Sequence, residues 1–223
     1  MRLGFDIDGV LASVMEAWCA GFVAVTGVDR FLPRDRHEPH DYDIHTVRGY
    51  TDEDKRLFWR YVELSPTWWF DLPPLPCMRT LQAHIHELLD EHEVYFITQR
   101  RGLRVKLQTE DWLRFHLDLH HPPTVLIVGH GEKGAVAKAL NLDAYVEDNF
   151  DNAVDVMKKS PTTRIFLVNR RYNQWEHRWP SGVPNAEQVS EYWTREKADR
   201  SRVSGIGEML RTLNLIPYNS RVE

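Results

Sequence analysis

Cysteine is nearly absent from this 223-residue chain: Cys19 and Cys77 are the two it has, and they form no C-x-x-C pair. That scarcity excludes a disulfide scaffold and a thiolate zinc site and suggests a reducing compartment. No apolar run approaches the ~20 residues that a bilayer crossing requires, so no membrane span is expected. Positive charge is not in excess either. Lys and Arg number 28 against 33 Asp and Glu, for a net charge of -5, so neither a nucleic acid polymer nor an anionic membrane is indicated as a partner. There is no internal repeat and no low-complexity tract. The chain passes from Met1-Arg2 straight into a strand-like pattern with no leader-like segment, and a cytoplasmic location is the expectation.

What is present is an ordinary globular balance, 42% hydrophobic and 27% charged residues, long enough for one domain with a substantial insertion. After an apolar N-terminal segment come four short β-rich runs: Val94–Ile97, Val125–Val128, Ala144–Val146 and Arg164–Val168. Each shows little alternation, as parallel strands covered on both faces do. Helical patterns separate them over 78–91, 103–117, 133–140 and 151–158. Alternating strands and helices with right-handed crossovers predict an α/β fold, a doubly wound Rossmann-like parallel sheet whose ligand site lies beyond the strand carboxyl ends.

Residues 13–75 break this rhythm. Val14–Val25 and Thr51–Leu64 read as helices, a polar, irregular stretch lies between them, and Pro73-Pro74-x-Pro76 marks the return. The expected division is therefore a core of 1–12 and 76–223 with a small helical cap, 13–75, inserted after strand one, where it could close over a ligand. Three histidines in the irregular stretch, His37, His40 and His45, have no regular ligand spacing and are expected to be solvated rather than to hold zinc. A last packing helix is expected over Ser204–Leu215.

Chemistry concentrates in Phe5-Asp6-Ile7-Asp8-Gly9-Val10-Leu11-Ala12. Side chains alternate along a strand, so Asp6 and Asp8 can be aimed at one point beyond its end, and Gly9 permits a tight turn. Paired acids without a basic neighbour favour a hard divalent cation. Three further features stand where such a sheet would place a site. Thr98 closes the second strand ahead of Gln99-Arg100-Arg101, Lys133 opens a helix after Gly129-His130-Gly131-Glu132, and Glu147-Asp148-Asn149 ends the fourth strand.

In order and spacing these features resemble the four motifs of the haloacid dehalogenase-type (HAD) phosphohydrolase superfamily. The Asp-x-Asp-Gly-Val-Leu-Ala run, the insertion right after it and Trp69-Phe70-Asp71-Leu72-Pro73-Pro74-Leu75-Pro76 are similar to the 5′(3′)-deoxyribonucleotidase branch, and Asn169-Arg170-Arg171-Tyr172-Asn173 is similar to a segment of bacterial and phage relatives. The resemblance implies Mg2+-dependent hydrolysis of a phosphomonoester, with a nucleoside monophosphate as the small phosphorylated substrate. It implies Asp6 as nucleophile, Asp8 as acid and then base, and Lys133 neutralising nucleophile and phosphate. It also implies Mg2+ on Asp6, Asp8 through its carbonyl, and Asp148, with phosphate on Thr98, Lys133 and the backbone N–H groups from Gly9 onward. Motif two departs from that branch in having Gln99-Arg100-Arg101, and Val14 stands where the branch has a base-pocket aromatic.

Several residues carry two readings. Trp68, Trp69 and Phe70 could stack a base or pack the hinge between cap and core, Arg100 could contact substrate or cover the sheet edge, and Asp151 could orient Lys133 or cap a helix. Glu147 and Asp151 are left open as metal-shell residues. Besides the nucleotidase, the motifs allow a phosphatase for a sugar phosphate or other small phosphoester, and a nucleotide-binding or regulatory protein of negligible turnover. A homodimer is allowed but not specified.

Overall fold

In the computed structural model of this chain, the structure describes residues 1–173, 202–203 and 205–217. Six parallel strands form one sheet: β1 (Arg2–Phe5), β2 (Glu93–Thr98), β3 (Thr124–Ile127), β4 (Ala144–Glu147), β5 (Arg164–Val168) and β6 (Arg202–Val203). Their spatial order is β3-β2-β1-β4-β5-β6. The period of two sorts the strand residues cleanly. Val94, Phe96, Val125, Val146, Phe166 and Val168 enter the core on one face, where α4 (Cys77–Glu91), α5 (Val105–Leu117) and α8 (Ile206–Thr212) supply residues such as Leu81, Ile85, Trp112 and Leu210. Ile97, Tyr145, Ile165 and Leu167 enter a second core on the other face, closed by Ala137 of α6 (Lys133–Leu140) and Val156 of α7 (Phe150–Lys159). Coverage on both faces is why the strands read as continuous apolar runs. The sheet is the doubly wound α/β fold that the sequence predicts, and its order turns back between β1 and β4, the place where such sheets open a crevice beyond the strand ends.

Between β1 and α4 the chain makes its long excursion. Ser13 N–H donates to Pro73 O at 2.8 Å and Leu75 N–H to Leu11 O at 2.7 Å, so the outgoing and returning segments lie side by side. Within it run α1 (Val14–Thr26), α2 (Ile44–Val47) and α3 (Asp52–Leu64). The last begins at Thr51, whose hydroxyl accepts from Asp54 N–H at 3.2 Å while Asp54 accepts from Thr51 N–H at 2.8 Å, a reciprocal cap. Phe22 of α1 stacks on Phe58 of α3 at 4.5 Å. The stretch between α1 and α3, irregular in sequence, is organised around Asp35. This fully buried carboxylate takes two bonds from Arg48, at 2.6 and 3.0 Å, and one from Leu32 N–H at 2.8 Å. Burial pushes its carboxyl up, but the Arg48 hydrogen bonds, the Leu32 N–H and the Arg48 charge together outweigh this and hold it below the usual range.

One expectation for this stretch is corrected. His37 and His40 are exposed, but His45 is 2% exposed, stacked on Phe22 at 5.2 Å, and neither ring nitrogen has a hydrogen-bond partner among the described residues. Helix α2 turns Ile44 and His45 inward, and the imidazole lies against Trp18 and Phe22 of α1. Burial holds the imidazole below its usual pKa. The native state therefore resists a proton that the unfolded chain accepts, and stability falls as pH drops from the ordinary histidine range toward the lowered native value. His45→Leu is expected to flatten that part of the curve, measured as the difference in melting temperature between wild type and variant from pH 7.5 down to about pH 5.

No helix among the described residues is long and apolar enough to cross a membrane. The tail helix spans Ile206–Thr212, shorter than the stretch predicted from Ser204, which itself lies outside the described residues.

Candidate active site

The crevice between the ends of β1 and β4 is where the polar side chains meet. Asp6 continues β1 by donating its N–H to Val146 O at 2.9 Å, and its side chain is buried. Just beyond, Ile7 O accepts from Val10, Leu11 and Ala12 N–H at 3.3, 2.7 and 2.8 Å, which winds the motif into a tight loop. Gly9 has φ +78°, and a Cβ there would overlap the Asp148 carboxylate and approach the Tyr172 hydroxyl. Glycine is required on both counts. Arg170 clamps this loop from β5's end, donating Nε and Nη2 to Gly9 O at 3.0 and 2.7 Å.

Lys133 stands at the start of α6, whose placement depends on Gly134. A side chain there would run into the Asp155 backbone of α7, and Gly134 N–H donates to Asp155 Oδ2 at 2.8 Å. Close helix packing thus aims Lys133 Nζ between Asp6 Oδ2, at 2.9 Å, and Glu147 Oε2, at 2.8 Å. Glu147 is saturated with donors: its other oxygen accepts Asp148 N–H at 3.2 Å and Asn149 N–H at 3.0 Å. Asp148 receives the Tyr172 hydroxyl on Oδ2, and Asn173 Nδ2 holds its backbone carbonyl at 2.6 Å.

Electrostatically the cluster is short of positive charge. Asp6, Glu147 and Asp148 offer carboxylate oxygens all within 4.8 Å of one another, against the single buried ammonium of Lys133. Burial, then the charge of Glu147, pushes Asp6 well above the usual carboxylate range. Burial and Glu147 likewise push Asp148 up to about 7. Glu147 is itself opposed by burial, but the charge and hydrogen bond of Lys133 outweigh that and hold it low. Burial works against the Lys133 charge, yet Asp6 and Glu147 keep its pKa well above the usual lysine value. Asp6 Oδ1 is buried and has no hydrogen-bond partner among the described residues. A bare carboxylate oxygen facing a second acid at low dielectric is costly. The three acids and the orphaned oxygen fit a divalent cation, with Asp6 and Asp148 as the groups free to take it.

The second half of the site gathers on Asp8. Thr98 Oγ1 donates to its Oδ2 at 3.3 Å, and Arg100 makes a two-point pair, Nε to Oδ2 at 2.9 Å and Nη2 to Oδ1 at 2.6 Å. Thus Asp6, Asp8, Gly9, Thr98, Arg100, Lys133 and Asp148 converge on one crevice. Trp68, Trp69 and Phe70 sit in packing contacts: Trp68 edge-on to Phe58 and Tyr61, each at 5.7 Å, Trp69 buried, and Phe70 against Phe115 at 6.1 Å. Asp151 is exposed on the first turn of α7, where Asn149 is the cap, accepting Asn152 N–H at 3.1 Å.

Sequence reasoning did not assign Arg170, Tyr172, Asn173 or Tyr42. The first three lie in the segment singled out by resemblance, the one signal available, since nothing in periodicity marks them. Tyr42, from the excursion, meets Tyr172 edge-on at 5.8 Å. Desolvation, then the charges of Asp148 and Asp6, hold its phenol well above the usual range.

Comparison with known proteins agrees with the motifs. No family model matches the chain. "Putative nucleotidase OB0422" of Oceanobacillus iheyensis is 26% identical over 182 residues, 78% of this chain and 89% of that protein. "Putative nucleotidase YqfW" of Bacillus subtilis is 27% identical over 178 residues, 78% of this chain and 83% of the other. Among solved structures, a HAD-superfamily hydrolase, subfamily IA, variant 1, from Geobacter sulfurreducens aligns with a TM-score of 0.49 at 15% identity, covering 78% of this chain and 97% of that one. By sheet order and by the order of its motifs, this chain resembles the HAD-type phosphohydrolases. The two bacterial relatives it is similar to carry nucleotidase names.

Proposed function

We propose that this protein is a Mg2+-dependent phosphomonoester hydrolase that works through an aspartyl-phosphate on Asp6, with (deoxy)ribonucleoside 5′-monophosphates as substrates. The observation that carries the reading is the state of Asp6: one oxygen is paired to buried Lys133, the other is buried with no hydrogen-bond partner among the described residues, and Asp8 follows it at the same strand end. The nucleotidase names of the similar bacterial proteins support the substrate class.

Asp6, Asp148 and the main-chain carbonyl of Asp8 would hold the metal. Once bound, Mg2+ would supply positive charge against the acids and the phosphate oxygens. Asp6 forms a bond to phosphorus as the ester P–O bond breaks, and Asp8 gives its proton to the departing alkoxide, which leaves as the alcohol. Asp8, now ionised, takes a proton from water as that water attacks phosphorus. Inorganic phosphate leaves and the Asp6 carboxylate is restored. Lys133 neutralises Asp6 throughout, and Thr98 orients phosphate oxygens; the N–H groups of Gly9, Val10, Leu11 and Ala12 are already given to the carbonyls of Ala12 and Ile7 and are not counted among the phosphate's donors. Residues 13–75 would act as the cap that closes over the ester and selects it.

Phosphate release from a panel of nucleotides, sugar phosphates and aryl phosphates tests this directly. Nucleoside monophosphates are expected to lead. Preference for sugar phosphates would leave the phosphatase and remove the nucleotidase, and no release from any ester would remove both. Activity is expected to require Mg2+ and to vanish with chelation. Asp148→Ala is expected to raise the Mg2+ needed for half-maximal rate by more than the ~10–100-fold that loss of an outer-shell partner costs. Full activity in excess chelator would exclude the metal.

A further inference from the structure

Arg100 has every nitrogen of its guanidinium directed inward. Its side chain has no exposure, against 20% for the Asp8 side chain. Nε and Nη2 are spent on the two Asp8 oxygens, and Nη1 donates to Thr109 Oγ1 at 3.0 Å. Thr109, on α5, commits its own hydroxyl proton to Val105 O at 2.7 Å, so the oxygen it turns to Arg100 is an acceptor. Three of the five N–H groups are committed in this way, and because the side chain has no exposure the remaining one on each Nη is turned into the protein rather than offered to a phosphate in the crevice. What a planar two-point pair does is fix the plane of the carboxylate it grips.

The same guanidinium lies over the Trp69 ring, 4.8 Å from its centroid, within the range of a cation–π contact. Trp69 is itself pinned at both ends. Its backbone N–H donates to Gln108 Oε1 at 3.0 Å and its indole N–H to Arg101 O at 2.9 Å. Gln108 is anchored in turn, donating to Leu103 O at 2.7 Å and to Ser65 O at 3.2 Å. Neighbouring residues of α5, Gln108 and Thr109, thus hold Trp69 and Arg100 respectively, and a ring tied in this way is not free to turn out and stack on a base.

We infer that Arg100 is the positioning residue of Asp8, and that Trp69, on the segment returning from the helical excursion, is the brace that keeps Arg100 on it. The chain from Trp69 through Arg100 to Asp8 links the base of the cap to the group that moves the proton. The inference rests on the reading of Asp8 as the acid and base of a phosphomonoesterase, and it assigns to Trp69 and Arg100 a role in chemistry rather than in substrate binding.

A carboxylate out of position slows expulsion of an alkoxide, which needs the proton, far more than expulsion of a nitrophenolate, which does not. The test compares kcat/KM of the Mg2+-loaded enzyme for a nucleoside monophosphate and for p-nitrophenyl phosphate, since kcat/KM covers the steps through departure of the alcohol or phenol. Arg100→Lys, which keeps charge but loses the two-point grip, is expected to lower the nucleotide value about a hundredfold and the aryl value far less, with KM little moved. Trp69→Leu should show the same split more weakly, and Trp69→Phe, which keeps an aromatic face under the guanidinium, should recover most of it. Thr109→Val removes the Nη1 acceptor while leaving the ion pair, and with Trp69→Leu it carries the test if Arg100→Lys does not fold. Asp8→Asn is the reference. If it shows the leaving-group split and the Arg100, Trp69 and Thr109 variants lose equally on both esters, the brace is overturned while the phosphomonoesterase reading stands. A rise in KM for both esters at unchanged kcat would make Arg100 a substrate ligand instead and would also overturn it. If Asp8→Asn itself shows no split, the acid role of Asp8 fails and the brace falls with it.

Discussion

Asp6→Asn is expected to eliminate hydrolysis and leave the protein folded. An amide cannot form the phosphoryl bond, and loss of the attacking group in enzymes with covalent intermediates removes about 10⁴-fold or more of the rate. The fold should survive because Lys133 keeps its 2.8 Å partner in Glu147. Relief is expected as well. Asp6 is held well above the usual carboxylate range by burial and then by Glu147, so its charge is resisted by its surroundings in the metal-free protein, and a neutral isostere removes that conflict. The melting temperature without metal should be equal to or above that of wild type, while the stabilisation gained on adding Mg2+ should shrink. Thermal melts with and without Mg2+, alongside phosphate release, measure both halves. Turnover near the wild-type rate by the folded, homogeneous variant would contradict the covalent mechanism.

Lys133→Met is expected to be as severe for activity and far worse for the fold. Lys133 is the one cation between two buried acids, at 2.9 Å from Asp6 and 2.8 Å from Glu147. Removing one partner from a buried ion pair costs about 3–5 kcal/mol because the remaining charge is left without compensation. The sign of the pH effect follows from Glu147. Burial pushes this carboxyl up, but Lys133 holds it below its ordinary value. A depressed carboxylate stabilises the fold above the unfolded-state pKa and loses that contribution as pH falls through the native one. Methionine abolishes this term, so the gap between wild type and variant should be widest near neutral pH and narrow in acid. Urea denaturation in chelator, at pH 7 and again near pH 4, would measure it. A gap that stays constant or widens on acidification would show that the Lys133–Glu147 pair is not what stabilises this corner. Adding Glu147→Gln to Lys133→Met should restore part of the loss by removing the stranded charge.

Much of the scaffold was legible because it depends on local pattern. The apolar runs at Val94–Ile97 and Ile165–Val168 are covered on both faces, and Leu81, Ile85 and Leu88 form one buried stripe of α4, so length and periodicity were enough to place them. Asp6 and Asp8 were legible for the same reason, since period-two alternation and the glycine after them are local properties. What was not legible depends on contacts made far apart in sequence. Arg170 reaches Gly9 across 161 positions and Arg100 reaches Asp8 across 92, and no window of sequence reports such pairs. Glu147 could be read as an acid at a strand end, but its pairing with Lys133 emerges only when α6 is set down on α7 at Gly134. His45 misled because histidine composition in a polar stretch suggests solvation, whereas the space between Phe22 and Trp18 needed filling. Trp69 and Arg100 carried two readings each in sequence. The packing of α5 decides their contacts, because Gln108 and Thr109 direct both side chains inward.

The proposed chemistry centres on a phosphoryl group carried by Asp6, and trapping that group is the most direct measurement. Asp8→Asn should slow the second half-reaction, in which water needs a base, while p-nitrophenyl phosphate, whose leaving group needs no proton, still loads the first. Acid quench of this variant after mixing with the aryl ester and Mg2+, followed by peptide mass analysis, is expected to find one phosphoryl group per chain on the peptide that contains Asp6. The group should be released by hydroxylamine and should be absent when Asp6→Asn is added. Continued phosphate release with no phosphoryl group on Asp6, or with the group on a different residue, would contradict it.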